Sequence, residues 1–251
     1  MEISMYQKLL MLPIFNGLTT RELTQIISQI HLDFNQYADG ETLASQDDRC
    51  DKIIYVLNGK VECEYRDPEN RFVLTELMDQ PFIIEPSHLY GMSQRYEHSY
   101  ITLEPVDTVA VSKRDFSNVM LNYHIVKTNI LNMLCARIQS LTKIVRECEP
   151  ETVVEKIIQF LRRNLATQKG QKTLYINMEI LADLIQETRI NVSFALRDLK
   201  QQGLIDQPHR GQILIPDIQN LITHYKYNLK SATNNLSSRD SRYGVLYGLT
   251  Y

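Results

Sequence analysis

The stretch from Thr188 to Gln201 combines side chains that bind nucleic acid with the spacing of a helix. Its apolar residues recur at positions i, i+3, i+4 and i+7, which predicts a helix with one narrow stripe packed on a core: Val192, Ala195, Leu196 and Leu199. Other positions carry guanidinium, amide and hydroxyl groups, which bind base edges and phosphates. The candidate DNA-binding residues of this stretch are Thr188, Arg189, Ile190, Asn191, Ser193, Phe194 and Arg197.

Arg189 has the position of a residue that reads a base. It lies about 60° from the apolar stripe and stands at the start of the helix, where a recognition helix contacts base edges. An arginine bound to guanine through two hydrogen bonds discriminates against other bases by about 1–3 kcal/mol. We expect Thr188 to cap the helix, Asn191 and Ser193 to donate to phosphates or bases, and Arg197 to reach the phosphate backbone.

A second group of polar residues follows in "DQPHRGQ", between two short apolar runs. His209 and Arg210 in this turn suit the phosphates beside the helix. For each polar residue named so far, a solvated surface position is as good an explanation as contact with DNA.

Ile190 and Phe194 point away from the apolar stripe, which is unusual for large apolar side chains on an amphipathic helix. Contact with thymine methyl groups is one interpretation, and it predicts a T-rich half-site. The alternative is that protein covers the pair in a state that does not bind DNA. We favour the first interpretation.

The residues around this helix predict a winged helix-turn-helix. Asn177 is a good N-cap for a helix over "MEILADLI", and "QET" forms a tight turn before the DNA-binding stretch. The segment "LIDQPHRGQILIP" predicts two short strands after it. A further helix, "ETVVEKIIQFLRRNL", comes first, with these residues inward: Val154, Ile157, Ile158, Leu161 and Leu165. Helix, turn, helix and hairpin in this order are typical of the winged helix-turn-helix.

Residues 31 to 111 show a different pattern, of short apolar runs separated by turn signals. Asn58-Gly59, between "IIYVL" and "KVECEY", predicts a β-hairpin, because a type I′ turn needs positive φ at both positions. Regularly spaced short strands predict an antiparallel sandwich or roll. The predicted fold class is therefore α+β, with an N-terminal antiparallel β-roll (jelly roll) ahead of the helical elements.

A long helical pattern joins the two halves. Ser112 is a candidate N-cap, and the pattern continues to Glu149, before Pro150 breaks it. Six apolar residues step by 4, 4, 3, 4 and 3, which is coiled-coil spacing and predicts a dimer seam: Ile130, Leu134, Ile138, Leu141, Val145 and Cys148. The alternative is a helix that packs only on its own domain.

These patterns divide the chain into four segments. We predict a sensor domain over residues 1–111, a dimerisation helix over 112–149, a winged helix-turn-helix over 150–228 and a tail over 229–251 that is disordered or bound to a partner. Residues 1–150 hold 14 basic and 21 acidic side chains, whereas residues 151–228 hold 10 and 8. An acidic front half and a mildly basic back half suit a back half that meets nucleic acid, although many other domains carry as much positive charge.

Composition and spacing argue against several other classes of protein. The 251 residues contain no apolar run of membrane-spanning length and no signal-peptide pattern, so we expect a cytoplasmic protein without membrane contact. The four cysteines are separated by 13, 72 and 13 residues and the six histidines are never two apart, so no metal site is predicted. Nucleophile-elbow, P-loop and glycine-rich phosphate motifs are absent, and we do not expect an enzyme.

The sequence resembles the Crp/Fnr family of bacterial transcription regulators over residues 10 to 225. Three stretches carry the resemblance: "YADGETL" followed by "IIYVLNGKVEC", then "VAVSKRDF", and "LADLIQETRINVSFALRDLKQQGLI". The last is the most specific, with Leu181-Ala182, Arg189 and Gly203-Leu204-Ile205 at the family's spacing. The resemblance implies a cyclic-nucleotide-binding-like roll and a dimerising central helix. It also implies a homodimer on palindromic double-stranded DNA, with Arg189 at a base edge and RNA polymerase as a partner.

The segment that corresponds to the family's cyclic nucleotide site departs from the family pattern. The resemblance implies a Gly-Glu pair and an Arg-Ser or Arg-Thr pair in members that bind cyclic AMP. Here the glycine is Ile84, proline follows the glutamate, and the arginine is His98, so a cyclic phosphate loses its fixed cation and its close backbone contact. Arg95 is the residue that could replace the cation. The candidate effector-pocket residues are Glu85, Arg95, His98 and Ser99.

We therefore expect an effector other than cyclic AMP, of unknown identity, and no cofactor. Two alternatives stay open: a degenerate family member that acts as a protein-interaction module, and a cyclic-nucleotide-responsive regulator with an altered pocket. His88 and His98 are more typical of packing or surface histidines than of metal ligands. Retention on a palindromic duplex that weakens steeply with salt distinguishes the regulator from the interaction module.

Overall fold

The computed structural model describes residues 9–10, 12–79, 81–146 and 150–225, and for residues 144–146 the backbone alone. The predicted tail and the side chains of Val145 and Cys148 lie outside the described residues. Within these ranges, each helix falls short of the length or the apolar character needed to cross a membrane.

The N-terminal half consists of a helix followed by short strands. The helix is α1 (Thr20–Ile27), and the strands are β1 (Leu32–Tyr37), β2 (Thr42–Ala44), β3 (Lys52–Val56), β4 (Val61–Arg66), β5 (Phe72–Met78), β6 (Phe82–Ile83), β7 (Ser99–Thr102) and β8 (Val106–Ser112). Helices α2 (Lys113–Asn118) and α3 (His124–Arg146) lead to the C-terminal half. That half contains α4 (Val153–Asn164), β9 (Lys172–Ile176), α5 (Met178–Leu184), α6 (Arg189–Gln201) and β10 (Gln212–Ile215).

The strands form two antiparallel sheets. One has the order β1-β8-β3-β6, and the other has the order β10-β9-β5-β4-β7-β2. Apolar side chains from both sheets fill a common core, in which Tyr55, Val61, Cys63, Val109 and Val111 are inaccessible to solvent. Two antiparallel sheets around one core, with most consecutive strands of the roll placed in different sheets, are typical of a jelly roll. The predicted α+β class with an N-terminal roll is confirmed.

The predicted hairpin at Asn58-Gly59 is wrong. β3 pairs with β6 and β8, whereas β4 pairs with β5 and β7, so the turn leads from one sheet to the other. Gly59 has a positive φ of 85°, and a Cβ there would lie 2.7 Å from Val106 Cγ2. The Asn58 side chain donates to Asp107 Oδ2 at 2.7 Å and accepts the Asp107 N–H at 2.8 Å. The dipeptide marks a turn, but strand pairing depends on which faces bury their side chains together.

The central helix begins later than the sequence pattern predicts. Ser112 caps a helix as expected, accepting a backbone N–H at 3.0 Å, but that helix ends at Asn118. The chain then makes a 3-10 turn in which Met120 is buried in the roll core. Tyr123 is extended (φ −82°, ψ 120°), and α3 starts only at His124. The break therefore falls where the chain buries the Met120 side chain in the roll core.

The predicted dimer seam divides into two parts with different surroundings. Ile130 is 8% exposed and Leu134 packs against the roll core, so both face their own domain. Ile138 and Leu141 are 61% and 39% exposed. Ile130 is therefore a core residue of the roll and the prediction is wrong for it, whereas Leu134, Ile138 and Leu141 stay predicted seam residues. Their spacing is the same as that of a coiled-coil seam, so the pattern could not separate the two roles.

The helices of the C-terminal half begin at the capping residues that the sequence contains. Thr152 and Glu155 form a capping box at the start of α4, whose inward residues are buried. Asn177 caps α5 and Thr188 caps α6, each accepting a backbone N–H with its side chain. The predicted wing hairpin is reduced: β10 pairs with β9, and only an isolated bridge forms before the turn.

The sheet of the roll continues into the C-terminal half. β9 pairs antiparallel with β5 from Phe72 opposite Ile176 to Glu76 opposite Lys172, so the roll and the winged half share one sheet. Phe72 and Leu74 of β5 accordingly lie in the core of the winged half. This strand pairing, which we call the β5–β9 seam, joins the roll to the winged half.

Candidate DNA-binding helix and sensor pocket

Helix α6 presents most of the DNA-binding candidates on its exposed side. Leu196 and Leu199 are 1% exposed, whereas Ile190 is 67% and Phe194 is 59% exposed. Thr188 starts the helix by accepting the third N–H on Oγ1 at 3.2 Å. The predicted inward stripe and the predicted cap are both confirmed, and the apolar pair is confirmed as outward-facing.

Carboxylates neighbour two of the candidate side chains in the first turn of α6. Arg189 Nε lies 3.4 Å from Glu179 Oε1, with both side chains more than half exposed. Asn191 Nδ2 donates to Glu187 Oε2 at 3.2 Å, and Lys156 Nζ lies 2.6 Å from Glu187 Oε1. Hydrogen bonds from Lys156 and then Asn191 hold the pKa of Glu187 below its usual range. Binding of DNA by Arg189 or Asn191 would exchange these carboxylates for bases or phosphates.

The exposed side of α6 also carries the arginine Arg197 and the aromatic residue Phe194. The guanidinium carbon of Arg197 lies 5.5 Å from the centroid of the Phe194 ring, a cation–π contact that lies on the exposed side of α6. Ser193 is half-buried and contributes less to this face than the sequence suggested. His209 and Arg210 are exposed in the turn before β10. A surface of this kind suits the major groove, where guanidinium groups bind guanine and apolar groups meet thymine methyls.

Glu85 lies in the predicted effector pocket, where donors of the chain itself surround its carboxylate. The carboxylate accepts the N–H groups of Glu97 at 2.7 Å and His98 at 3.0 Å. It also contacts His98 Nδ1 at 2.6 Å and accepts the Tyr100 hydroxyl at 3.2 Å, and His88 Nδ1 lies 3.2 Å from its other oxygen. The backbone of Glu85 is left-handed, with φ 33°. The carboxylate of the predicted effector pocket therefore already has partners within the chain.

These contacts also set the charge of Glu85. Burial would raise the pKa of this carboxyl, but hydrogen bonds from His98 and from the Glu97 N–H outweigh burial, and the pKa lies below its usual range. Glu85 is therefore an anion inside the roll at neutral pH. A phosphate can bind beside this carboxylate only if a neighbouring cation offsets the repulsion between the two buried anions.

Two of the predicted pocket residues do not converge on Glu85. Ser99 follows His98 directly and therefore points to the opposite face of the strand. A backbone N–H of the loop after β2 donates to Ser99 Oγ at 3.0 Å. Arg95 is exposed, and its guanidinium donates to the Asp47 carbonyl at 2.5 Å. The structure thus brings together Glu85 and His98, while Arg95 and Ser99 bind neighbouring loops.

A buried polar cluster lies next to this pair. Cys63 of β4, Glu76 of β5 and His98 each place one sulfur, oxygen or nitrogen atom within 4.8 Å of the others. Lys172 of β9 contacts the cluster, with Nζ 2.8 Å from Glu76 Oε2, and none of the four residues is more than 4% exposed. Sequence spacing did not identify the cluster, because its members lie on four different strands or their flanks. One sequence signal did indicate a buried charge. Glu76 is two positions after Leu74, so both side chains lie on the same face of the strand, and that face is buried.

Two family models match separate parts of the chain, one in the N-terminal half and one in the C-terminal half. Residues 34–123 match the model of the cyclic nucleotide-binding domain, and residues 155–223 match the model of the Crp-like helix-turn-helix domain. The chain belongs to the Crp/Fnr family of transcription regulators. In this Crp/Fnr regulator the roll is the cyclic-nucleotide-binding-like domain, and α6 is the second helix of the DNA-binding helix-turn-helix.

Individual relatives of this Crp/Fnr regulator are distant in sequence. The CRP-like cAMP-activated global transcriptional regulator of Mycobacterium tuberculosis is 22% identical over 210 residues, which span 80% of this chain and 87% of that protein. The catabolite activator protein of Thermus thermophilus is 20% identical, with 83% of this chain and 96% of that chain covered and a TM-score of 0.46. DNR from Pseudomonas aeruginosa is 14% identical, with 89% and 99% covered and a TM-score of 0.44.

Proposed function

We propose that this Crp/Fnr regulator acts as a homodimer on palindromic duplex DNA, which it reads with α6. The observation that carries the proposal is the asymmetry of this helix. One side is buried in the winged half, and the other side exposes Arg189, Ile190, Phe194 and Arg197. A helix held rigidly by its buried side, with arginines and apolar groups outward, has what a major-groove reader requires.

The exposed face of α3 supports the homodimer. Leu131 and Ile138 are 54% and 61% exposed and stand seven positions apart, with exposed Cys135 between them. Leu141 continues this face at 39% exposure. Spacings of 4 and 3 on a helix of 23 residues fit a two-helix seam with a second copy of the chain. Pairing of this kind places two recognition helices on half-sites about 34 Å apart, which is one turn of DNA.

The residues of α6 determine which bases the regulator prefers. Arg189 binds a guanine through its O6 and N7 atoms, and Ile190 and Phe194 contact thymine methyl groups. Thr188, Asn191, Arg197, His209 and Arg210 bind phosphates and set the register. The half-site is therefore rich in thymine and contains at least one guanine.

The effector of this regulator is not cyclic AMP. His98 stands where cyclic-AMP-binding members carry arginine, and it binds Glu85 at 2.6 Å. Arg95, the substitute cation, points to the Asp47 carbonyl. Isothermal titration of cyclic AMP should show no binding at concentrations that saturate an authentic cyclic AMP receptor, and saturable binding would contradict this part of the proposal. RNA polymerase is the expected partner on DNA, by family membership alone.

Selection of bound duplexes from a random pool tests the proposal directly. We expect enrichment of a palindrome whose half-sites are one helical turn apart, and an affinity that falls steeply with salt. The Arg189→Ala variant is the control, and its pool should lose the conserved guanine. If the wild-type chain enriches no palindrome but binds a protein partner through the Ile190 and Phe194 face, the chain is a protein-interaction module instead.

A further inference from the structure

The buried polar cluster lies where the core of the roll meets the core of the winged half. Cys63 is directly opposite Tyr100 on one side and Glu76 on the other, and Glu76 is directly opposite Lys172. Residues paired in this way project to the same face of a sheet. The apolar neighbours of Cys63 belong to the roll core, whereas Leu74, two positions before Glu76, belongs to the core of the winged half.

His98 is oriented like a histidine that binds a metal. Its Nδ1 lies 2.6 Å from Glu85 Oε1, so in the neutral ring Nδ1–H donates to this carboxylate and Nε2 carries the free lone pair. Nε2 is buried and has no hydrogen-bond partner among the residues that the structure describes. A carboxylate that fixes the ring from behind is the usual outer contact of a metal-binding histidine. A buried ring nitrogen without any partner otherwise carries a desolvation penalty.

We propose that Cys63, Glu76 and His98 bind a divalent transition-metal ion of the zinc type, and that the bound ion displaces Lys172 from Glu76. A thiolate, an imidazole and a carboxylate together suit Zn²⁺ or Co²⁺ rather than Mg²⁺ or Ca²⁺, which require oxygen ligands throughout. Three protein ligands leave one position of a tetrahedral ion for water or another small ligand.

The position of Lys172 explains why the ion and the ammonium exclude each other. Lys172 and Glu76 form an ion pair, with Nζ 2.8 Å from Oε2 and no more than 1% exposure on either side. When a divalent ion binds, the Cys63 thiol loses its proton to solvent, and the thiolate and the Glu76 carboxylate become ligands. The ammonium of Lys172 occupies Glu76 Oε2, so an ion that binds this oxygen takes the place of the ammonium.

The geometry requires the same rearrangement. The ligand atoms lie within 4.8 Å of one another. Around a tetrahedral zinc ion, ligand atoms are separated by about 3.5 Å, so the three side chains must close in by up to about 1 Å. The Glu76 carboxylate has to turn away from Lys172 and from the loop that follows α4, where it accepts the Ala166 and Thr167 N–H groups. The metal therefore weakens the contacts that fix the β5–β9 seam.

Opening of the β5–β9 seam would also give the ion its entry path, since the cluster is buried under β9 and the loop before it. The binding site is inferred from the cluster alone. Only its consequence, that the metal frees the DNA-binding half to move, rests on the proposed function.

Titration with Co²⁺ tests the site in the full chain. The starting protein carries Cys135→Ser and Cys148→Ser, so that Cys50 and Cys63 are the cysteines that remain. We expect a thiolate-to-cobalt charge-transfer band and a saturable isotherm, with competition by Zn²⁺. Adding Cys63→Ser should abolish the band, and His98→Gln should weaken binding at least tenfold. Cys50→Ser is the matched control, a buried cysteine of the same roll, and should leave the titration unchanged. The absence of a charge-transfer band, or its survival in Cys63→Ser, would overturn the site.

Lys172→Met tests the competition. If the ammonium and the ion exclude each other, the variant should bind Co²⁺ several-fold more tightly than the starting protein, whereas a purely structural lysine would give equal or weaker binding. Hydrogen exchange provides an independent readout: Zn²⁺ should accelerate exchange at the amides that pair across the β5–β9 seam and leave the β4–β7 pairing protected. Metal binding with unchanged seam exchange would overturn the displacement.

Neither experiment contains DNA. Failure of the metal site therefore leaves the proposed DNA-binding function standing, and failure of DNA binding leaves the metal site standing.

Discussion

The ammonium of Lys172 and the carboxylate of Glu76 form an ion pair across the β5–β9 seam, with Nζ 2.8 Å from Oε2 and no more than 1% exposure on either side. The two residues are 96 positions apart in the chain, one in the roll and one in the winged half. Glu76 also accepts the N–H groups of Ala166 and Thr167 and the Thr167 hydroxyl. The Lys172 ammonium has one further hydrogen bond among the described residues, to Thr167 Oγ1 at 2.9 Å. The ion pair therefore joins the roll to the winged half. The Glu76 carboxylate has more further hydrogen-bond partners than the Lys172 ammonium.

Removal of Glu76 should destabilise the protein more than removal of Lys172. Glu76→Gln leaves a buried ammonium with little compensation, and we expect a loss of about 3–5 kcal/mol in the free energy of unfolding. Lys172→Met leaves a carboxylate that keeps three donors, so the loss should be smaller. Urea unfolding of both variants measures the difference.

The exposed pair Lys60 and Glu104 provides the control for this comparison, with Nζ 3.8 Å from Oε2 and both side chains about half exposed. Lys60→Met should change stability by less than about 1 kcal/mol. A larger loss in Lys172→Met than in Glu76→Gln would mean that the assignment of the supporting hydrogen bonds is wrong.

The corrected seam of α3 predicts opposite results for two isoleucines. Ile138→Glu places a charge on the exposed face, so sedimentation should show monomers while the fold is retained. Ile130→Ala removes a side chain from the roll core and should lower the free energy of unfolding by about 2–5 kcal/mol. A dimer that survives Ile138→Glu would show that the chain pairs through another surface.

Ile190 and Phe194 should recognise the thymine methyl group itself. Replacing thymine by uracil in the selected duplex removes only this methyl, so the wild-type affinity should fall at uracil-substituted positions. Ile190→Ala and Phe194→Ala should no longer distinguish the two duplexes, because the apolar contact is already lost. Since both side chains are exposed, stability should change little, whereas Leu196→Ala, on the buried side, should be strongly destabilised. Full uracil discrimination by both variants would assign the methyl contacts to other residues.

Glu85 predicts how stability depends on pH. Its folded-state pKa lies below the usual carboxyl value, so the stabilisation is fully present above that usual value and is lost as pH falls through the lower folded-state pKa. Glu85→Gln cannot titrate. The stability difference between wild type and variant should therefore be largest at neutral pH and shrink in acid, as measured by urea unfolding across the pH range. If the stability difference between wild type and Glu85→Gln stays constant with pH, Glu85 is not the cause of the pH dependence.

Much of the C-terminal half could be predicted because its signals are local. The caps at Asn177 and Thr188 act within three residues of themselves, and the inward stripe of α6 follows from helical geometry. The exposed positions of Ile190 and Phe194 follow from the same geometry. Roles on DNA stay predictions, because they depend on a partner that the chain does not contain.

The features that could not be predicted depend on contacts between distant strands. The Asn58-Gly59 turn was correct as a turn and wrong as a hairpin, because pairing with β8 and β6 was decided elsewhere in the roll. The Glu76 and Lys172 pair joins strands from different halves, and neither residue shows locally that the other is opposite. The role of Ile130 was ambiguous for a similar reason, since one spacing serves both a core and a seam.

Base reading by α6 can be measured by comparing Arg189→Ala with Arg210→Ala on the selected palindrome and on random duplex. If Arg189 reads guanine, its loss should weaken binding to the palindrome by about 1–3 kcal/mol and leave binding to random DNA nearly unchanged. Arg210→Ala, which removes a phosphate contact, should weaken both equally and reduce the salt dependence. Equal losses for Arg189→Ala on the two duplexes would contradict base reading by α6.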